Sequence, residues 1–542
     1  MIICVSYRFR GGVFGDETAL EQFFIWLAHN RSIEIFSAYI ITFSEQDNFS
    51  IMAPFFEHNC NLRCIELKNA DVSICILTLV LAISRTKMNR LARIDLWHTG
   101  IGDKNAADLI NALNAMCGLS NLLDLWLCGN RIGKNGCLAL FSLLKNPECR
   151  ILSLDLSSNL FDDVDITILI DGLVVPNALK CSSIGDQLRL TAAGWKILSN
   201  FLSGTRCALE KIILYHVADD SAAALGDALA RNENLKCLDF SWNCITPTGW
   251  REISNFLAPT SSILELNLNE SNINDGDAFV LFSALAINAT LKKLLLYSEH
   301  ITSAGWVSCF RKLIGSRSVL IDIEFGRHID DEGIAALATL VAGYMNTISS
   351  IDLWGEPSTS ASWSVFANIL VPSSTSKLKT LRVGACQDEF TGGHPITNDV
   401  VIDLVTALAG NSTLEVLDLN HVDDYVDSAL ERLIGVLCDT SSVDSICQSN
   451  HTLREFVCNS SDDTVGPSEL RSLLEMNEDE DKALVVRKKL LTYFFSDVDN
   501  IGPVFGRMAT TILPNAMEWI GRDRLGYSAM FEFCRSVPAL FK

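Results

Sequence analysis

One skeleton recurs along this chain and limits its fold more than any other feature. It consists of an apolar residue, two others, an apolar pair flanking a single residue, then two more and often asparagine. Leu122, Leu125, Leu127 and Asn130 show it, as do Ile151, Leu154, Leu156 and Asn159, and Leu235, Leu238, Phe240 and Asn243. Looser copies begin at Leu62, Leu91, Leu179, Leu209, Ile263, Leu291, Leu320, Ile348, Leu378 and Leu414, with a fading one at Leu453. That makes about thirteen units, mostly about 28 to 29 residues apart, the period of a solenoid. A chain of 542 residues would otherwise split into several globular domains.

Each unit changes period midway. The LxxLxL part alternates as a short strand does, whereas the following GCLALFSLL places Leu140 and Leu144 four and eight residues after Gly136, which is helical spacing. One strand and one helix per unit follow. Strands sit about 4.8 Å apart and a helix is about 10 Å across, so units stacked in register bend with their strands inside. A second period overlies the first. AAGWKILSNFL, PTGWREISNFL, SAGWVSCFRKL and SASWSVFANIL set Trp195, Trp250, Trp306 and Trp363 two units apart, with a different helix type between them. These tryptophans read either as wedges between neighbouring helices or as a binding stripe.

The LxxLxLxxN skeleton, the glycine six positions after it and the two-unit alternation resemble the leucine-rich repeats of the ribonuclease-inhibitor type, over roughly Asn61 to Ser460. Leu179 to Gly194 departs from the pattern, and Ala385 to Asp399 is a lengthened connection. The expected fold is α/β, a right-handed leucine-rich-repeat horseshoe with a parallel concave sheet and convex helices. Residues 1–60 are read as an N-terminal cap or degenerate first repeats, 61–460 as the solenoid and 461–542 as a small helical C-terminal cap. Within that cap ALVVRKKLLTYFF and SAMFEFCRSVP carry helical periodicity, separated by LPNAMEWIGRD.

The segment GNRIGKNG resembles a glycine-rich phosphate loop. The phosphate motif G-x-x-x-x-G-K-[ST] needs one more residue between its glycines and a hydroxyl after the lysine. Here Gly129 and Gly133 stand closer and Asn135 follows Lys134. The equivalent WNCITPTGW and YSEHITSAGW drop the lysine, so the segment is read as a strand-to-helix turn in which Asn130 satisfies backbone groups.

The net charge of -22, from 43 basic and 65 acidic residues, repels phosphate backbones and anionic lipid, so neither nucleic acid nor membrane is an expected partner. The longest apolar run, ICILTLVLAI, is about half of a bilayer span. MIICVSYRFRGG reverses the order of a secretory signal, and a cytoplasmic location is expected. The 18 cysteines have no framework spacing and read as free buried thiols. His58, Cys60 and Cys64 in HNCNLRC have poor zinc spacing, and no metal or other cofactor is expected.

The residue between each apolar pair should point away from the core. That column reads Glu66, Asp95, Trp126, Asp155, Ser183, Ile213, Asp239, Asn267, Leu295, Glu324, Asp352, Arg382 and Asp418, and the position two residues further on adds Trp97, Tyr215, Tyr297 and Trp354. Aromatic anchors beside aligned acids suit a protein-binding surface that selects basic partners. Solvation of an exposed strand face explains the acids equally well. No GxSxG, HExxH or CxxC is present, and His98, His216, His300, His328 and His421 fall around the strand-to-loop bends, so no catalytic residue is nominated.

The leading expectation is a non-enzymatic scaffold that binds another protein. A second is regulation of a small GTPase, since the same repeat type builds the Ran GTPase-activating protein. That resemblance implies an arginine or asparagine at the rim and an acidic tail; Arg93, Asn130, Arg131 and NEDED are the candidates, without a motif match. A third is ribonuclease-inhibitor-like binding of a basic nuclease. Resemblance to immune receptors lacks a nucleotide-binding domain.

Overall fold

The computed structural model describes residues 2–6, 26, 33–39, 55, 61–69, 79–80, 90–117, 121–175, 177–187, 189–217, 219–257, 261–326, 329–343, 347–354, 360–372, 374–384, 398–420, 427–458, 467–493 and 535. It divides into two compact units, Met1–Ile273 with Ile287–Leu291, and Asn274–Ala286 with Lys292–Lys542.

The first unit carries strands β1 (Ile2–Ser6), β2 (Ile35–Tyr39), β3 (Cys64–Lys68), β4 (Arg93–Asp95), β5 (Asp124–Trp126), β6 (Ser153–Asp155), β7 (Cys181–Ser183), β8 (Lys211–Ile213), β9 (Cys237–Asp239) and β10 (Glu265–Asn267). Each pairs parallel with the next in chain order. From β4 onward they alternate with helices α1 (Asp103–Ala115), α2 (Lys134–Leu144), α3 (Asp163–Leu173), α4 (Ala192–Leu202), α5 (Ala222–Arg231) and α6 (Pro247–Ser254). The second unit opens with α7 (Asp275–Leu285). It continues β11 (Lys293–Tyr297), α8 (Ser303–Leu313), β12 (Asp322–Gly326), α9 (Asp331–Val341), β13 (Ser350–Trp354), α10 (Ser360–Ala367), β14 (Thr380–Gly384), α11 (Asn398–Ala407), β15 (Val416–Asn420), α12 (Asp427–Leu437), α13 (Val443–Gln448) and β16 (Glu455–Val457). Its strands too are parallel in chain order.

The skeleton leucines form the core. Leu122, Leu125 and Leu127, and Leu235, Leu238 and Phe240, are all buried. Each such side chain contributes roughly 1.5–3 kcal/mol on leaving water. Trp195, Trp250, Trp306 and Trp363 are 2, 2, 0 and 5% exposed, and Trp306 meets the Phe325 ring edge-on at 4.9 Å. They are wedges in the core rather than a binding stripe.

The asparagines do the backbone work expected of Asn130. Its Oδ1 accepts from the amides of Thr99 (3.2 Å) and Ile101 (3.0 Å), while Nδ2 donates to the carbonyls of Leu96 (2.8 Å) and Leu127 (3.0 Å). Asn159 and Asn243 repeat this one unit at a time. In the degenerate unit Gln187 takes over, accepting from Phe161 N at 3.3 Å and donating to Leu156 O at 2.8 Å. The residue before each ladder position is left-handed: Gly129 at φ 70°, but Ser158 at 53°, Asp186 at 55° and Trp242 at 58° elsewhere. Glycine is needed at 129 because the His98 ring lies over it, 2.5 Å from where a Cβ would stand.

Helices α14 (Ser468–Asn477) and α15 (Lys482–Tyr493) follow the last strand. Lys489 of α15 is fully buried and donates to the carbonyls of Leu437 (2.6 Å) and Asn450 (3.0 Å), so its amine holds the helix against the end of α12. The helix expected in ALVVRKKLLTYFF is α15; LPNAMEWIGRD and, but for Arg535, SAMFEFCRSVP lie outside the described residues.

Candidate functional site: the strand faces

The column read from sequence is the column of the ladder. In the first unit Glu66 pairs with Asp95, Asp95 with Trp126, Trp126 with Asp155, and Ile213 with Asp239. In the second, Glu324 pairs with Asp352, Asp352 with Arg382 and Arg382 with Asp418. The intervening positions, Ile65, Ile94, Leu125 and Leu154 among them, are buried, so alternation turns the column away from the core.

The acids in the column are not equivalent. Asp95 is only 1% exposed and is met by the Lys68 amine at 2.9 Å. Burial nevertheless holds its carboxyl above the ordinary range. Burial pushes Glu66 the same way, but the Ser37 hydroxyl, donating at 2.7 Å, together with Lys68 leaves it below its ordinary value. Asp155 and Asp239 accept from their own turns: Ser157 N at 3.0 Å with its hydroxyl, and Ser241 N at 3.1 Å with its hydroxyl at 2.6 Å. Asn267 does the same with Asn269 N at 3.0 Å. Asp155, Asp239 and Asn267 therefore close the bends after their strands, which gives them a structural task whether or not they also meet a partner.

The aromatic positions differ as well. Trp97 is 39% exposed and touches the His98 ring edge-on at 4.6 Å. Trp126 donates from Nε1 to Ser153 Oγ at 3.3 Å, with the Arg93 guanidinium stacked 3.6 Å above its ring. Burial, with Asp239 and Asp155 close by, pushes the Tyr215 phenol up to about 12. Cys128 lies among Asp155, Ser157, Ser158 and Trp97, and burial raises its thiol to about 11. Trp97, Asp155, Tyr215 and Asp239 therefore lie along one strand face of the first unit, with Cys128 and Asp155 between the two aromatic residues. Trp242, 55% exposed at the bend after β9, was missed because it stands at the left-handed position, where no column pattern selects it.

In the second unit Tyr297 leans over Gly326, its Cδ2 1.8 Å from where a Cβ would stand, so only glycine admits the ring. Burial and the charges of Glu324, Asp418 and Asp322 raise Asp352 to about 6, against the opposing pull of Arg382. Arg382 Nε lies 3.9 Å from Asp418 Oδ2. The backbone of Trp354 pairs with Gly384, while its side chain lies outside the described residues.

The phosphate-loop resemblance is resolved by an acid. Asp103 Oδ1 accepts from Gly133 N (2.9 Å) and Gly136 N (2.7 Å), and Oδ2 from Asn135 N (3.0 Å). The amides that would wrap a phosphate already hold a carboxylate from the preceding repeat. The device recurs two units at a time: Asp163 takes Thr191 N (2.9 Å), Asp219 takes Thr246 N (2.8 Å) and Asp275 takes Thr302 N (2.7 Å). The glycine six positions after the skeleton belongs to it, since a Cβ on Gly194, Gly249 or Gly305 would stand 2.1–2.4 Å from the capping carboxylate.

Among the described residues no helix is long and apolar enough to cross a membrane, no group of three or more histidine, cysteine or acidic side chains could hold a metal ion, and the cysteines are free.

No family model matches the chain. It is 25% identical over 271 residues to the ribonuclease inhibitor of Sus scrofa, covering 44% of this chain and 58% of that protein. It is 25% identical over 304 residues to NACHT, LRR and PYD domains-containing protein 5 of Mus musculus, covering 55% of this chain and 25% of that one. The chain thus spans less than two thirds of either relative. Among solved structures, the TLR13–ssRNA13 complex matches with a TM-score of 0.40 and 16% identity over 79% of this chain and 53% of that one. The Rad7–Elc1 complex of yeast matches at 0.33 and 14%, over 76% and 85%. The recurring skeleton and the strand–helix unit it folds into make this chain a leucine-rich-repeat protein, similar in sequence to the ribonuclease inhibitor and to the repeat regions of the NACHT, LRR and PYD domains-containing proteins.

Proposed function

We propose that the chain is a non-enzymatic scaffold of a reducing compartment such as the cytoplasm, which binds another protein, one with a basic surface, on its strand faces. The observation that carries this reading is the strand face of the first unit, along which exposed Trp97 after β4 is followed by Asp155 on β6, Tyr215 after β8 and Asp239 on β9. Aromatic rings supply large contact area at low entropic cost, and acids beside them favour lysine or arginine. Tyr297, Glu324, Asp352 and Asp418 offer a similar combination on the second unit. The acids lie in rows along the strand faces, Asp155 and Asp239 in their own turns and Asp95 and Asp418 in ion pairs, rather than as an isolated pair around a shared pocket, which favours binding over acid–base chemistry.

The test is affinity capture from native extract at low and high salt, followed by affinity measurement of the captured partner against Trp97→Ala and Asp155→Asn. A charge-led interface weakens as the Debye length shrinks from about 10 Å at 0.1 M salt. If Trp97 is a hot spot, its truncation lowers affinity by about 2 kcal/mol. A partner bound equally by both variants and at both salts overturns the reading. The pig relative is by name an inhibitor of ribonuclease, which favours a second reading in which the basic partner is a ribonuclease. Full ribonuclease activity in an excess of this protein removes it.

A further inference from the structure

Arg93 is one of the few cations, with Lys68 and Lys211, on the strand face of the first unit. It stands on β4, two residues before Asp95, and its guanidinium carbon lies over the Trp126 ring, 3.6 Å from the centroid. Two acids nearby are committed elsewhere, Asp95 to Lys68 at 2.9 Å and Glu66 to Ser37 at 2.7 Å and Lys68 at 3.9 Å, while Asp124, across the ladder from Arg93, makes no ion pair with it. Among the described residues no carboxylate lies within ion-pair distance of Arg93, and its Nε is buried without an acceptor. Stacking on an aromatic face fixes the plane of a guanidinium but leaves its in-plane N–H fork unsatisfied. Such a fork matches a carboxylate through two parallel hydrogen bonds.

We propose that Arg93, held on Trp126, receives a carboxylate of the bound protein. This deepens the reading above, on which it rests. Two strands along Arg93 is in register with Ser153, so Asp155, two residues further on, lies about 12 Å away on the diagonal. An extended segment advances about 3.3 Å per residue, so a partner strand crossing the repeats offers an acidic residue to Arg93 and a basic one about three to four residues further on to Asp155. The partner segment is then not uniformly basic but carries an acid and a base in fixed register. Charge argues for a carboxylate rather than a phosphate: Asp95, Asp124 and Asp155 flank the arginine on the same face, and a second negative charge would be repelled.

The test uses arrays of extended peptides of otherwise randomised sequence, with Glu and Lys three or four residues apart. Parallel sets carry Gln or phosphoserine in place of Glu. They are probed with the full chain and its Arg93→Gln and Arg93→Lys variants, whose folding is checked by circular dichroism. The expected result is retention of the Glu set about tenfold over the Gln set. That ratio falls to near one with Arg93→Gln and largely so with Arg93→Lys, while the Gln set is held as before. Equal retention of the Glu and Gln sets by the native chain overturns this proposal and leaves the basic-partner reading standing. So does a preference that survives Arg93→Gln. A phosphoserine set that outbinds the Glu set assigns the fork to phosphate and overturns the carboxylate. Retention of no set by the native chain removes both readings.

Discussion

Replacing Asp103 by alanine removes the acceptor shared by three amides at the start of α2. The Gly133, Asn135 and Gly136 bonds are 2.9, 3.0 and 2.7 Å long, and Asn135 Nδ2 adds a fourth at 2.8 Å. Bonds to a charged acceptor contribute about 1.5–3 kcal/mol each in buried settings. These amides are part-buried or exposed and regain water, so the expected local loss is that of a strong cap, about 2 kcal/mol. Asp103→Asn keeps one oxygen and loses the charge, for about 1 kcal/mol. Because repeats open locally, the assay is hydrogen exchange of the 133–136 amides, and about 2 kcal/mol appears there as a roughly 30-fold faster exchange. Asp171→Asn, on an exposed side chain of α3, serves as control and stays within about 0.5 kcal/mol. The sign with pH is set by the carboxyl. Burial alone would raise Asp103, but the amides of Gly136, Gly133 and Asn135 hold it below its ordinary value. Its contribution is therefore complete above the unfolded value of about 4 and fades as pH falls through the folded one. Unchanged exchange at 133–136 in Asp103→Ala would refute the cross-repeat cap.

Asp352→Asn relieves repulsion by Glu324, Asp418 and Asp322 and is expected to stabilise the second unit at pH 7 by about 1 kcal/mol after discounting for solvent screening. Because the folded value is raised to about 6, native stability declines as pH rises from about 4 to about 6. Thermal unfolding across that range should show the decline in the native chain and its absence in Asp352→Asn. Asn159→Ala strands Ile132 N and the carbonyls of Leu127 and Leu156 in a buried turn, at a cost of about 3 kcal/mol, whereas Gln187→Asn is expected to be nearly neutral. Urea unfolding of the two variants distinguishes them.

Residues that repeat a job in every unit were legible in sequence; those that recur only in alternate units, or that replace the usual residue, were not. Leu125, Leu154 and Leu238 announced the core face, and Asn130 its role in the bend, because period and residue type are local properties. The alternation of tryptophan helices was visible, but not its companion, the acid about 56–60 residues apart that caps the following helix, since its partners lie one repeat away. Gln187 escaped notice because one extra methylene reaches the same donors and acceptors from a sequence that matches no template. On the candidate site, spacing gave the ladder column but not the commitments of its members. Asp95 is buried on Lys68, Asp155 is held by Ser157, and exposed Trp242 sits where the pattern does not look.

The carboxylate that reaches from one helix start to the next makes the true module a pair of repeats. Excising a single repeat would set a tryptophan helix behind a neighbour that carries no matching acid, leaving open amides at its start and a glycine with nothing to accommodate. Excising two restores the match of Asp219 to Thr246 or of Asp275 to Thr302. Arrays of this kind are therefore expected to lengthen and shorten by even numbers, and the reach of their binding face to change in steps of two strands, about 10 Å at a time.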